Sequence, residues 1–543
     1  MSVILSKGVI LTTLALMLAG CGGTMPVSTT PTPTPAPSTR PTSELTPRLI
    51  PQPATLVTRG GEPFVVTRAT SIVIDAGNPE SARTAELLAA IIRPSTAFAI
   101  PVTTTDAANS ITLRLDVGRT SLGDEGYELT STSNGVRIVA HQPAGLYRGT
   151  QTLRQLLPYN VESHMNINSP RWAVPAVSIT DQPRFPWRGA MLDVARHFFT
   201  VKEVKQFIDL QALYKMNVFH LHLSDDQGWR IEIKSRPQLV AQGSVTQVGG
   251  GEGGFYTQAD YSEIVRYAGD RYITVVPEID MPAHINAALV AFPNLSCGKR
   301  PPALYTGTEV GFSAFCSDKE ETYALIEDIV REIAAITPGK YFHIGGDEVQ
   351  ALTPVQYARF VERVQDIVAR NGKQLVGWDE IHKATLRPTS LVQAWANDSL
   401  EGALRHGGKI LLSPAKKLYL DMKYTAATEL GLRWAGLVEL RDAYDWDPAT
   451  YMKGVTERDI VGVEAPLWTE TVRNITAAQF LIMPRLPAIA ELGWSPQAAR
   501  SWEGFRERIA GHGPRWNLMG VNFYQSPQVD WQQPVAPRTT LVP

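Results

Sequence analysis

The stretch "YFHIGGDEVQ", Tyr341 to Gln350, carries an apolar, strand-like run into two glycines and then two adjacent acids, Asp347 and Glu348. Neighbouring carboxylates repel one another and attract water. The pair is therefore either a solvated turn or a site whose chemistry needs two acids with different tasks. Glycoside cleavage is such a chemistry. It uses one carboxyl as general acid and a second as nucleophile about 5 Å away, or as a base farther off. On a regular strand, consecutive side chains point to opposite faces, so Asp347 and Glu348 make a poor facing pair. A bend at Gly345 and Gly346 can turn both towards one side, but not to opposite sides of one bond.

The surrounding elements must deliver these acids. From "DQPRFPWRG" onward, strand-like runs alternate with amphipathic helices. "VKEVKQFIDLQALYKM" puts Val201, Val204, Ile208 and Ala212 on one helical face. Eight runs read as strands, from "GAMLDVAR" through "NVFHLHLSDD", "YITVVPEID", "YFHIGGDE", "QLVGWDE", "LVQAW" and "KILLSP" to "DIVGVEAPLW". Repeated βα units predict a parallel (β/α)8 TIM barrel over residues 183–525, an α/β fold, with an open doubly wound sheet as the alternative. Residues 49–182 read as a small α+β domain, in which "GYELTSTSNGVRIVA" is a hairpin turning at Asn134-Gly135. That domain carries no residue set with assignable chemistry and is expected to buttress the barrel.

Barrel active sites lie at the C-terminal strand ends. Those ends hold Arg196 and His197; Asp225 and Asp226; Asp280 and, just beyond, His284; Asp347 and Glu348; Trp378, Asp379 and Glu380; Trp395; Tyr419 and Asp421; Trp468 and Glu470. One acidic strand end means little, but eight polar or aromatic ends describe a cup with ring walls, which suits a sugar. No His or Cys trio has metal spacing, and neither "HExxH" nor "GxSxG" occurs, so no metal or cofactor is expected. "GGGEGG", Gly249 to Gly254, does not lead a strand into a helix and reads as a loop rather than a phosphate cradle.

The 543 residues carry 19% charged side chains and a net charge of -2, with no basic stripe, which argues against a nucleic-acid partner. Lys7 and the apolar run ending "LAGC" at Cys21 read as an export signal over residues 1–20. "LAGC" resembles a bacterial lipoprotein box, which implies cleavage before Cys21 and lipidation of its sulfur; an ordinary signal peptide with a chance Cys is the other reading. The protein is then exported and tethered to a bacterial membrane, with no other membrane contact. Residues 21–48 are Pro/Thr/Ser-rich and read as an extended spacer. Residues 526–543 read as a Pro-rich, loose tail. Cys297 and Cys316 are either two buried thiols or a bridge closing about twenty residues, contributing ~3 kcal/mol in the chain-entropy model. The favoured reading is the bridge.

"LDVARHF", "HLHLSDDQGWR", "PEIDMPAH", "HIGGDEV" and "WTE" resemble glycoside hydrolase family 20, the exo-acting β-N-acetylhexosaminidases, over both the barrel and the small domain. The resemblance implies that the 2-acetamido oxygen of the substrate is the nucleophile, forming an oxazolinium with retained configuration. Glu348 is then the acid and later the base, and Asp347 orients the acetamido group. Asp225 and His284, with Asp280 as a candidate third member, form a polar chain behind Glu348. Tyr419 donates to the acetamido oxygen. Trp378, Trp395 and Trp468 wall the pocket, Arg196 holds ring hydroxyls, and Asp421 and Glu470 accept from others. Leu420 and Asp421 supply no cation, so anionic sugars are disfavoured. His220 and His222 read as packing residues, Asp226 as a backbone acceptor, and Asp379 and Glu380 as rim residues. The implied partner is a β-linked N-acetylhexosamine glycan. Release of a disaccharide unit and a non-catalytic surface sugar-binding lipoprotein are the competing readings.

Overall fold

The computed structural model describes residues 46–167, 171–298, 301–396, 400, 404 and 407–532. The signal, Cys21 and the spacer up to residue 45 lie outside these. Among the described residues no helix is long and apolar enough to cross a membrane.

The N-terminal domain contains strands β1 (Thr55–Thr58), β2 (Phe64–Val65), β3 (Ser71–Val73), β4 (Val102–Thr103), β5 (Ser110–Leu115), β6 (Tyr127–Thr132), β7 (Gly135–Ala140), β8 (Ala173–Val174) and β9 (Val177–Asp181). Seven form one mixed sheet in the order β1-β9-β6-β7-β5-β3-β4, and β2 pairs with β8. β6 and β7 are the antiparallel hairpin expected at Asn134-Gly135. Helices α1 (Pro79–Thr96) and α2 (Pro143–Leu156) pack against the sheet. The Asn78 side chain caps α1 by accepting from the Ser81 N–H. Ile72, Leu88, Ile92, Ile111, Leu113, Ile138 and Leu153 are fully or almost fully buried between the layers, each worth about 1.5–3 kcal/mol relative to exposure.

Eight parallel strands then close a barrel: β10 (Trp187–Asp193), β11 (Val218–His222), β12 (Thr274–Glu278), β13 (Tyr341–His343), β14 (Gln374–Trp378), β15 (Leu391–Ala394), β16 (Lys409–Leu412) and β17 (Ile460–Leu467). β17 pairs with β10, which excludes the open sheet. Helix α3 (Val201–Leu213) starts at a Thr200–Glu203 capping box and buries Val204, Ile208 and Ala212. Helix Pro354–Arg370 likewise starts at a Thr353–Gln356 box.

The barrel interior changes character along its axis. Trp187, Val218, Val276, Val376, Leu391 and Leu411 form an apolar cluster. Two residues farther along β11, β12, β14 and β15 stand His220, Glu278, Trp378 and Gln393, which bond to partners on non-neighbouring strands and so meet across the lumen. Gly189 makes room there: a Cβ at that position would lie 2.3 Å from Glu464 Oε2.

Charged side chains join the two domains. Lys215 donates to Asp181 (2.9 Å) and to the Tyr127 hydroxyl (2.8 Å), and Trp494 Nε1 donates to Asp181 (2.9 Å). Arg148 and Arg188 both donate to Glu125, at 2.8 and 2.6 Å. Cys297 and Cys316 form a disulfide.

The C-terminal segment corrects the expectation of a loose tail at 526–532. Ser526 and Val529 are buried, and the Trp531 ring lies 5.7 Å from Trp516 and 5.2 Å from Phe523. Aromatic burial anchors a stretch whose prolines suggested extension. Residues 533–543 lie outside the described part.

Candidate active site

Strand β13 ends at His343, and the chain turns at Gly345 (φ 66°), Gly346 (φ 101°) and Glu348 (φ 51°). A Cβ on Gly345 would sit 1.8 Å from Asp280 Oδ1, and one on Gly346 would sit 2.8 Å from Ile381 Cγ2. Both backbone and space therefore demand glycine here. Glu348 occupies the left-handed region without that freedom, which is local strain held by the surrounding contacts. The turn sends both acids the same way. His284 Nε2 lies 3.3 Å from Glu348 Oε2 and 3.7 Å from Asp347 Oδ2.

Behind His284, its Nδ1 lies 3.5 Å from Asp225 Oδ1. Asp225 Oδ2 accepts from His222 Nε2 at 3.0 Å and stands 2.9 Å from Arg196 Nη1. Burial would raise the Asp225 carboxyl, but Arg196 and His284 outweigh it and hold the group far below the usual range. Burial likewise opposes charge on His284, yet Asp225 and Asp347 lift its pKa well above the ordinary value. Asp347 is pushed up to about 6 by burial, with Glu348 and Glu278 adding to the rise and His284 opposing it. Asp280 is raised well above its ordinary value by burial and then by Asp347; its Oδ1 accepts from the Gly346 N–H at 3.2 Å. Asp280 therefore holds the acidic turn.

The walls are aromatic. Tyr419 stacks on Trp395 with centroids 6.4 Å apart and planes at 16°. Trp468 lies 5.7 Å from Trp378 and 6.5 Å from Tyr419. Arg196 rests 4.8 Å over the Trp468 ring. Trp434, which reading strand ends could not reveal, lies in the long loop after β16. It is 56% exposed and sets its ring edge-on at 5.8 Å from both Trp395 and Tyr419.

Among the described residues, both oxygens of buried Asp421, Oε2 of Glu470, Oδ1 of Asp347, and Nε and Nη1 of Arg196 make no well-formed hydrogen bond. Buried polar groups are normally satisfied, so their concentration at one barrel mouth marks a surface shaped for a polyhydroxylated ligand. Burial, followed by Glu470, raises the Asp421 carboxyl far above its usual range. Burial also raises Glu470, against the pull of Arg196.

Two expectations need correction. His220 and His222 are not packing residues. His220 Nδ1 meets Glu464 at 2.7 Å, and His222 Nδ1 meets Glu278 at 2.5 Å. Glu278, inside "PEIDMPAH", also accepts from Trp378 Nε1 at 2.9 Å; a Glu within an apolar strand was the available signal. Asp379 and Glu380 do not line a rim. Asp379 is fully buried and accepts from the Ala396 N–H at 3.0 Å. Glu380 accepts from Trp395 Nε1 at 3.2 Å and from the Glu348 N–H at 3.4 Å, so it ties a wall to the acidic turn. Burial, Asp347 and Asp379 push it up to about 8. Asp226 accepts from the Asn286 N–H (3.0 Å), as its backbone role requires, and also from Ser313 Oγ (2.5 Å).

Four overlapping trios, including His220, Glu278 and His343, bring ligand-type atoms within 4.8 Å of one another. All belong to the same carboxylate–imidazole cluster, which accounts for their proximity.

A barrel closed over this cup defines a carbohydrate-active enzyme, and comparison with known proteins gives its family. The model of the glycosyl hydrolase family 20 catalytic domain matches residues 185–357 and 352–497, and the model of the family's domain 2 matches 46–182. A β-N-acetylhexosaminidase of Cellulomonas fimi is 43% identical over 491 residues, covering 90% of this chain and 97% of that protein. Among solved structures, the GH20 β-N-acetylhexosaminidase of Streptomyces coelicolor A3(2) is 50% identical with a TM-score of 0.87, covering 90% and 99% of the two chains. A mutant Streptomyces plicatus β-hexosaminidase in complex with its product GlcNAc is 49% identical with a TM-score of 0.86, covering 90% and 98%. The chain belongs to glycosyl hydrolase family 20. It is a glycoside hydrolase.

Proposed function

We propose that the protein is an exo-acting β-N-acetylhexosaminidase. It removes terminal β-linked N-acetylglucosamine or N-acetylgalactosamine from glycans or chito-oligosaccharides. The observation that carries the reading is the convergence of Glu348 and Asp347 on one edge of His284, at 3.3 and 3.7 Å. Two acids on the same side cannot flank a bond in the usual two-carboxylate scheme. They can serve two atoms of one sugar.

Glu348 gives its proton to the leaving oxygen as the C1–O bond breaks. The acetamido oxygen attacks C1 from the opposite face and closes an oxazolinium. Asp347 holds the acetamido N–H and balances the positive charge growing on nitrogen. The Tyr419 hydroxyl donates to the attacking oxygen and keeps it in line. Glu348, now ionised, takes a proton from water, which opens the ring at C1 with net retention. Asp421 and Glu470 use their unpaired oxygens, and Arg196 the donors that its ion pair with Asp225 leaves over, on the sugar hydroxyls, and Trp378, Trp395 and Trp468 enclose the acetamido methyl and sugar face. Export and a lipid on Cys21 complete the proposal; loss of membrane retention in Cys21→Ser tests that part.

The catalytic test is release of p-nitrophenol from its N-acetyl-β-glucosaminide. Turnover that collapses in Glu348→Gln and is blocked by a thiazoline mimic of the oxazolinium supports the reading. A folded protein without turnover, or a Glu348→Gln variant of undiminished rate, overturns it.

A further inference from the structure

Below the pocket, carboxylates and imidazoles alternate. Glu464 Oε1 meets His220 Nδ1 (2.7 Å), His220 Nε2 lies 3.0 Å from Glu278 Oε2, and that same oxygen meets His222 Nδ1 (2.5 Å). His222 Nε2 meets Asp225 Oδ2 (3.0 Å), Asp225 Oδ1 faces His284 Nδ1 (3.5 Å), and His284 Nε2 faces Glu348 (3.3 Å). The series climbs from mid-strand β17 to the loops beyond the strand ends. The mechanism above uses only its upper end.

His222 is the link with well-formed hydrogen bonds to a carboxylate at both ring nitrogens. A neutral imidazole has one donor and one acceptor, so only the doubly protonated ring can donate both ways. The ring is fully buried. Facing it are Glu278 of β12, Asp225 beyond β11, Asp193 of β10, Asp280 beyond β12 and the edge of the Trp468 ring at 4.9 Å. Glu278, Asp225 and Asp193 favour the cation; Arg196 and His284, both on Asp225, and His220, on the same Glu278 oxygen, are the opposing charges. Burial opposes protonation, but Glu278 and Asp225 carry the pKa well above the ordinary histidine value.

The consequence falls on Asp225. With Oδ2 held by His222 and Arg196, its Oδ1 is the oxygen directed at His284 Nδ1. We propose that His222 is a positioning residue for the reaction: clamped between Glu278 and Asp225, it keeps Asp225 ionised and oriented, so that His284 presents a proton to Glu348. Glu278 acts one link farther away, holding His222 from below. The inference rests on the functional reading above, because it assigns Glu348 the acid role.

Leaving-group dependence separates this role from a structural one. A 2,4-dinitrophenyl leaving group departs without protonation, whereas the alcohol of chitobiose needs a general acid. In His222→Gln and Glu278→Gln, kcat/KM for chitobiose is expected to fall about 10- to 100-fold, a partial loss of the roughly 10²- to 10⁴-fold that general acid catalysis supplies. The value for 2,4-dinitrophenyl N-acetyl-β-glucosaminide is expected to stay near wild type, and the pH profile for chitobiose to move. An equal fall on both substrates, or no fall on either, overturns the proposal. Should both variants fail to fold, the intact protein labelled with 15N-histidine decides. Of its ten histidines, the one assigned to His222 is expected to be doubly protonated at pH 8; a neutral His222 ring at that pH overturns the proposal, whatever the state of the others. A wild type that cleaves neither substrate instead refutes the functional reading, while the histidine spectrum still tests the clamp.

Discussion

The interior of the small domain and the interior of the barrel solve opposite problems. Between its sheet and helices the small domain buries aliphatic side chains such as Ile72, Leu88, Ile111 and Leu113. Its buried charges sit at the border with the barrel, where Asp181 accepts from Lys215, Tyr127, Trp494 and the Ala54 N–H. The barrel keeps an apolar cluster at Trp187, Val218 and Val276, then fills the rest of its axis with His, Glu, Gln and Trp. At its mouth several of those polar atoms are unpaired. Packing stabilises the first region. The second holds charged atoms without protein hydrogen-bond partners, which the proposed function assigns to a substrate.

The largest expected effect breaks the barrel side alone. Glu348→Gln should lower kcat/KM on chitobiose by about 10³- to 10⁴-fold while leaving the thermal midpoint close to wild type. The reverse is expected at the domain border. Asp181→Ala strips the counter-charge from buried Lys215 and should cost about 3–5 kcal/mol in denaturant unfolding, with unchanged kcat/KM in the protein that remains folded. Leu113→Ala, within the small domain's core, should cost about 2–5 kcal/mol by the same measurement, again without a kinetic signature.

Much of this contrast was legible in the sequence, and the missing part has a physical reason. Eight apolar runs with regular spacing marked the barrel strands, because strand burial writes itself as local pattern. The strand ends exposed Arg196, Asp225, Asp347, Glu348, Trp378, Trp395, Tyr419, Asp421, Trp468 and Glu470, because barrel topology puts them in one place. His220, His222 and Glu278 were misjudged or passed over because their meaning depends on partners far away in the chain: Glu464 lies 244 residues from His220, and Glu278 lies 56 from His222. Trp434 escaped because a long loop has no periodicity to fix its place. Trp531 was hidden among prolines, and only its docking against Trp516 and Phe523 reveals it.

The smallest effect sharpens the comparison from within the site. Asp347 is raised from 3.8 to about 6, chiefly by burial. The native state therefore holds this proton more tightly than the unfolded chain. Stability is lost as pH rises from the ordinary carboxylate range through about 6, and the loss is complete above it. Asp347→Asn should thus raise the thermal midpoint at pH 7 by a few degrees and leave it unchanged near pH 3, while activity falls. In the wild type, where ionised Asp347 is the working form, kcat/KM should decline as pH drops through about 6.

The account's central claim is that the sugar supplies its own nucleophile. The most direct measurement compares kcat/KM for aryl glucosaminides whose N-acetyl group carries none, one, two or three fluorines. Fluorine withdraws electrons from the amide oxygen without blocking the pocket. A steep decline with each fluorine is the predicted result; a flat series would contradict the account.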